Sequence, residues 1–197
     1  MVEQVETAAQ RLRRGLPHAV VAAVGTAAGI GVGVATGRPN WPVYLAVILL
    51  GGVLAAAVHA RFGFSGTTLG GLVVFALGHV AGGMMPVGDG VLYGVWLIEG
   101  VLRFDNLQHA VGFGVVGRAG WELLRRRLPV ADPVVAWCVI VSFAVAGGAV
   151  NEIIEWVMTL TIPGTDVGGY DNTARDLVAN LMGGVVAASL TSRRTTL

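Results

Sequence analysis

Asp105 and His109 stand four residues apart in FDNLQHAVGFG, so a helix places them on one face. Glu152 and Glu155, three apart in NEIIEW, share a face in the same way. A third group lies in GTDVGGYDNTARDLVANLMGG, where Asp176 and Asn180 share a face and Asp171 and Arg175 come just before. His79 stands in an apolar run further upstream. Carboxylates with imidazole make a ligand set for Mn, Fe or Zn, and for Mg or Ca where oxygen dominates. The candidate ligands of a divalent cation are therefore His79, Asp105, His109, Glu152, Glu155, Asp171 and Asp176. His109 and Glu155 are the candidate catalytic residues, with His109 or a spare Glu as general base toward a lipid-linked phosphate or ester.

Each residue also has a plainer role open to it. Asp105 and Asp171 suit helix N-termini, where a carboxylate meets free N–H groups. Glu152 or Glu155 would pair with Arg103 or Arg175 in a structural ion pair, and His79 alone would be a packing residue. Arg118 and Glu122, four apart, are expected to pair or snorkel at the inner interface. His18 and His59 fall at cytoplasmic helix ends and are left out of the site.

The elements that must position these groups are membrane helices. Of 197 residues 54% are hydrophobic and only 13% charged, against ~25% charged in soluble domains. Net charge is +1 and there is one cysteine, which excludes a basic nucleic-acid binder and a disulfide scaffold. Crossing a bilayer takes about 20 mostly apolar helical residues. Six stretches qualify: 16–36, 41–58, 67–85, 105–124, 133–160 and 173–190. The run 91–104 (VLYGVWLIEGVLRF) is too short and carries Glu99 and Arg103, so it is expected to be a short interfacial or re-entrant helix between the third and fourth spans. The expected fold is all-α, a polytopic membrane bundle of six transmembrane helices. Its parts are a cytoplasmic N-terminal segment (1–15), a transmembrane domain (16–190) and a cytoplasmic tail (191–197).

Arginine fixes the expected orientation. Arg11, Arg13, Arg14, Arg61, Arg125, Arg126, Arg127, Arg193 and Arg194 fall inside if both termini are cytoplasmic, leaving only Arg38, Arg103 and Arg175 outside. A seventh span would reverse the later clusters. Arg13-Arg14 before an apolar run resembles a signal peptide, but the run is about 20 residues rather than 7–15 and is expected to be a span. Residues 1–14 are expected to form a short amphipathic helix. With this topology the acids and histidines of four helices fall at one depth, in the outer half of the bilayer. Intramembrane carboxylates cost ~2.5–3.5 kcal/mol at a helix centre, which makes them functional candidates.

Glycines recur every four residues at Gly25, Gly29, Gly33 and Gly37, and the spacing returns at Gly66 and Gly70 and at Gly78 and Gly82. Small residues at this interval allow close helix packing within the chain or between copies, so a homo-oligomer is one expected partnership. GIGVG lacks the strand and acidic residue of a nucleotide loop.

Together these motifs resemble the uncharacterised bacterial inner-membrane proteins typified by YjdF. That family has a Tyr-Asp-x-x-x-His element, an x-Glu-x-x-Glu-Trp element and an Asp-rich opening of the last helix. Asp105 and His109 match the first, with Phe104 in place of tyrosine; Glu152, Glu155 and Trp156 match the second; Asp171 and Asp176 match the third. His79-Val80-Ala81-Gly82 is similar to the family's His-containing third helix, and coverage runs from about 72 to 186. Asp176-x-x-x-Asn180-x-x-Gly183 is more distantly similar to VanZ-like membrane proteins. The resemblance implies a multi-pass inner-membrane location and no activity.

Three functions remain open: a metal-assisted enzyme acting on a lipid or lipid-linked substrate, a small-solute or proton-coupled transporter, and a non-catalytic membrane scaffold. Membrane lipid is the expected surrounding partner, and nucleic acid is not expected. Cysteines introduced at Gly88 and Gly168, on a background lacking Cys138, should react from outside with an impermeant thiol reagent, and one at Leu128 should not. Labelling of position 128 in intact cells would overturn the orientation and the shared depth of the polar residues.

Overall fold

Six α-helices form among the described residues, and local signals set where each begins. The computed structural model describes residues 6–127, 132–162 and 168–192. Asp166, Arg193, Arg194, position 128 and most of the expected tail lie outside the described residues. Helix α1 (Ala8–Ala35) starts at Thr7, whose hydroxyl accepts from Gln10 N–H while the Gln10 side chain accepts from Thr7 N–H. Helix α2 (Trp41–Phe62) has Pro42 in its first turn, and Ser65 caps α3 (Gly66–Met84). Asn106 Oδ1 accepts from Arg103 N–H at the start of α4 (Phe104–Leu124). Asp132 Oδ1 accepts from Val134 N–H, 2.7 Å away, at the head of α5 (Pro133–Thr161). The last helix is α6 (Tyr170–Ser192).

These helices follow the six apolar stretches closely. Four of them, α1, α2, α3 and α5, are long and apolar enough to cross a membrane. Helices α4 and α6 are diluted by the polar residues described below. The first stretch starts earlier than expected: the separate amphipathic helix merges with the span, and α1 runs unbroken through Pro17. Contacts outside the helix anchor that extension. Arg11 donates to the carbonyls of Ala60 and Arg61, and Arg14 to that of Phe64 at 2.8 Å. Glu6 pairs with Arg14 at 3.1 Å, which holds its carboxyl below the usual carboxylate range.

The expected helix at 91–104 is not formed. Pro86–Val87 (β1) pairs antiparallel with Gly90–Val91 (β2), a 3-10 turn covers Leu92–Gly94, and Trp96–Ile98 (β3) pairs with Leu102–Arg103 (β4). Gly88 and Gly100 take positive φ (55° and 71°) in the two turns, a conformation that breaks a helix and that glycine adopts without strain. Val95, Trp96 and Ile98 meanwhile favour extended backbone.

The chain divides into two compact units, Met1–Val91 and Leu92–Leu197. In the first, α1 packs on α2 and α3, and Ile30, Val80 and Met84 form a buried core with Tyr44 and Leu45 against it. The glycine face of α1 is filled by α3: Gly25 lies against Leu77, Gly29 against Val80 and Gly33 against Met84. Gly66 and Gly70, by contrast, face open space, so their spacing serves no packing here. His59 is buried, its Nε2 2.7 Å from the Arg11 carbonyl and its Nδ1 accepting from Phe64 N–H. In the second unit α4, α5 and α6 pack pairwise around Trp121, Ala136, Ile140 and Ala188.

Replacing Gly29 or Gly33 by leucine should destabilise the protein by ~1–3 kcal/mol through overpacking. Gly31→Leu, whose Cβ would have open space around it, should be close to neutral. Thermal unfolding of the three variants in detergent checks this, and equal melting temperatures would refute the packing.

Candidate functional site

Three polar faces meet in the second unit because glycines let the helix backbones touch. A side chain at Gly183 of α6 would run into the backbone of Ala110 in α4, and one at Gly114 would come within 2.8 Å of the Gly183 carbonyl. Gly148 of α5 likewise receives the side chain of Asn180. Close approach at these points sets the first turns of α4 and α6 against the C-terminal half of α5.

His109 stands where the faces meet, 6% exposed. Its Nε2 is 3.8 Å from Asp105 Oδ1 and 4.0 Å from Glu155 Oε1, and its Nδ1 is 3.6 Å from Glu152 Oε1. Nδ1 also lies 3.2 Å from Asn180 Oδ1, within hydrogen-bond reach. Donation of Nδ1–H to that oxygen leaves Nε2 with its lone pair facing Asp105 and Glu155. Asp176, fully buried, accepts from Asn106 Nδ2 at 2.8 Å and from Asn172 Nδ2 at 2.6 Å. Asn172 also reaches Asp105 at 3.4 Å, and Asn151 donates to Glu155 at 2.7 Å. Among the described residues two sets of ligand atoms each lie within 4.8 Å of one another: Asp105, His109 and Asp176, and His109, Glu152 and Glu155. His109 belongs to both.

Glu152 differs from the other acids. It is buried, and neither carboxylate oxygen makes a hydrogen bond of good geometry among the described residues, although the side chains of Thr173 and Asn151 lie near it. Nor is either glutamate paired with an arginine there, contrary to the expected ion pair with Arg103 or Arg175. Arg175 instead pairs with Asp171 at 2.8 Å, and Arg103 lies over the Trp96 ring. A carboxylate buried without donors is costly unless it is neutralised or meets a cation.

Five of the seven candidate ligands thus converge: Asp105, His109, Glu152, Glu155 and Asp176. Asp171 does not join them, its side chain being 84% exposed beside Arg175. His79 belongs to the first unit, with its ring 4.9 Å from that of Tyr44. Asp105 stands in the first turn of α4 and faces His109, so capping is not its evident role. Arg118 and Glu122 do pair, at 3.4 Å, with Glu122 buried. The sequence reading missed the amides Asn106, Asn151 and Asn172. Their signal was spacing: Asn151 precedes Glu155, and Asn172 precedes Asp176, by four residues.

Gly183→Ala should separate α4 from α6 and cost ~1–3 kcal/mol, because backbone cannot yield as a side-chain tip does. Gly70→Ala, with open space around it, is the matched control. Similar thermal stability of the two variants would show that the glycine contact does not hold the site together.

No curated protein and no solved structure matches the chain. The model of the family described as "Predicted membrane protein (DUF2238)" matches residues 17–196, and the chain belongs to that family of membrane proteins, consistent with the resemblance its motifs carry.

Proposed function

We propose that this membrane protein crosses a bacterial-type inner membrane six times, with both termini cytoplasmic, and binds a divalent cation in the outer half of the bilayer. Asp105, His109, Glu152, Glu155 and Asp176 would hold the cation, and the site would act on a lipid or lipid-linked substrate. The observation that carries this reading is Glu152, buried with no hydrogen bond to its carboxylate oxygens among the described residues. It lies beside an imidazole that it shares with Glu155 in one set of ligand atoms and that also belongs to a second set with Asp105 and Asp176. A cation offsets the charge that makes such a cluster expensive in a low-dielectric setting.

The donor set fits a metal site in two further ways. Its groups are mostly oxygens with one imidazole nitrogen, a mixture suited to Mn, Fe or Zn and tolerable for Mg or Ca. The amides supply the supporting layer: Asn180 orients His109, Asn106 and Asn172 orient Asp176, and Asn151 orients Glu155. A bound cation would supply Lewis-acid polarisation of a phosphate or ester oxygen. Glu155, 25% exposed and the more open of the two glutamates, would take a proton from an attacking water.

Elemental analysis of the detergent-purified protein, with thermal unfolding in chelator and after adding back Mn²⁺, Zn²⁺ or Mg²⁺, tests this reading. Chelation should lower the melting temperature by about 5–10 °C if the cation is present at ~100 times its dissociation constant. His109→Ala, Glu152→Gln and Glu155→Gln should each abolish the cation response, because the amides keep shape but lose charge. Asp171→Asn should retain it. Wild-type stability indifferent to both chelator and cation sinks the metal reading and favours a transporter, for which Glu152 and His109 supply a buried carboxylate and imidazole 3.6 Å apart.

A further inference from the structure

The hairpin ahead of α4 carries a second constellation. The β3–β4 register sets Arg103 directly across from Trp96, and its Cζ lies 4.4 Å from the indole centroid. Arg175 of α6 approaches the same ring, with its Cζ 5.8 Å from the centroid. Two guanidinium groups therefore share one aromatic platform. Arg103 is two residues from Asp105 and Arg175 is next to Asp176, so both arginines border the acidic cluster along the chain.

Their hydrogen bonding is incomplete. The Arg103 guanidinium donates no hydrogen bond to the described residues, and its Nε is shielded from solvent without an acceptor. Arg175 gives Nε to Asp171 at 2.8 Å and reaches the Gly100 carbonyl with Nη1 at 3.4 Å, but remains 37% exposed at its side chain. A guanidinium lying over an indole keeps its N–H groups in its own plane, free for an acceptor with several oxygens. Among the described residues no carboxylate of the cluster comes within ion-pair distance of Arg103, although its charge acts on Asp105 and Asp176 from further away. Asp171 occupies one edge of Arg175 from a solvated position, a weak contact that an anion can displace.

We propose that Arg103 and Arg175, held on Trp96, form a subsite for a phosphate group bordering the Asp/His/Glu cluster. As a statement about substrate class, this rests on the function proposed above; as a binding site, it stands on the arginines alone. Phosphate offers enough oxygens to meet both guanidinium groups at once, with bidentate contacts that carboxylate provides only singly. The setting favours a phosphate borne by a lipid. Leu97, Ile98 and Val101 project from the same hairpin at 45%, 56% and 69% exposure, an apolar surface suited to acyl chains or the headgroup boundary.

The test uses the full chain in neutral detergent, titrated with dihexanoyl phosphatidic acid, with inorganic phosphate and with dihexanoylglycerol as the phosphate-free control. Each titration is run once in chelator and once with Mn²⁺, by calorimetry. The phosphatidic acid should bind in both conditions and dihexanoylglycerol in neither. Arg103→Gln should weaken binding about tenfold, equivalent to about 1.4 kcal/mol. Arg175→Gln, at a more exposed position and so less able to disturb folding, should weaken it severalfold. Tighter binding of the lipid than of inorganic phosphate supports the lipid source; equal binding supports the same subsite with free phosphate as its ligand. Binding in chelator by a protein whose stability ignores cations keeps the arginine subsite while removing the metal reading. Binding that appears only with Mn²⁺ and survives both substitutions assigns the phosphate to the cation and overturns the subsite. Equal affinity of the folded variants and the wild type in chelator, or no binding of either phosphate probe, overturns it as well.

Discussion

The crossing of α4 and α6 at Ala110, Gly114 and Gly183 is the contact on which the second unit depends. Carbonyls and α-carbons meet there with no side chain between them. In a lipid environment apolar side chains gain little by leaving acyl chains for each other, so association rests on close packing and polar contacts. Glycine supplies the first by removing the Cβ. The second follows geometrically, since helices this close bring short side chains such as Asp and Asn within hydrogen-bond reach. Asn106 to Asp176 and His109 to Asn180 are both α4-to-α6 contacts of that kind. Packing and chemistry share one cause.

The same unit inverts the usual distribution of polarity. Asp176 and Asn180 are wholly buried, whereas Ile153, Trp156, Leu160 and Val178 are 59%, 62%, 66% and 61% exposed. Water would penalise such a surface, and hydrocarbon would not. The inversion also accounts for α4 and α6 falling short of the composition of an apolar span. Each carries one strongly polar face, and each turns that face toward its neighbours. The interior acids are mostly served by neutral amides and not by arginines. Amides bring donors without bringing charge, and Glu152 keeps its oxygens unmatched among the described residues. Arginines appear at the margin, over Trp96.

How the polypeptide enters α4 matters equally. A hairpin with a fixed register delivers Arg103 beside Trp96 and then turns directly into the helix, where Asn106 receives the Arg103 N–H. A helix over the same residues would have turned Trp96 and Arg103, seven positions apart, along one axis instead of face to face across a ladder. The two glycines with positive φ select the hairpins.

The sequence by itself determined the helices and the membrane environment. Hydrophobic length and capping are local properties: Thr7, Ser65 and Asp132 mark helix starts, Pro42 and Pro133 reinforce them, and apolar runs of bilayer length leave few alternatives. It also marked the pairs Asp105 and His109, and Glu152 and Glu155, because spacing of three or four residues reports a shared helical face. Which faces meet was decided only by the tertiary structure. Spacing along one helix carries no information about its rotation against another, so Asp171 and Asp176 looked equivalent although one is solvated and the other buried. Gly33 and Gly70 both stood in four-residue repeats, yet only Gly33 has a partner helix over it. Hairpin against helix at 91–104 was likewise settled by strand pairing, an interaction between residues that local propensity alone does not join. Local chemistry is written residue by residue, whereas convergence depends on backbone contacts between segments about 70 residues apart in the chain, as between Asn106 and Asp176.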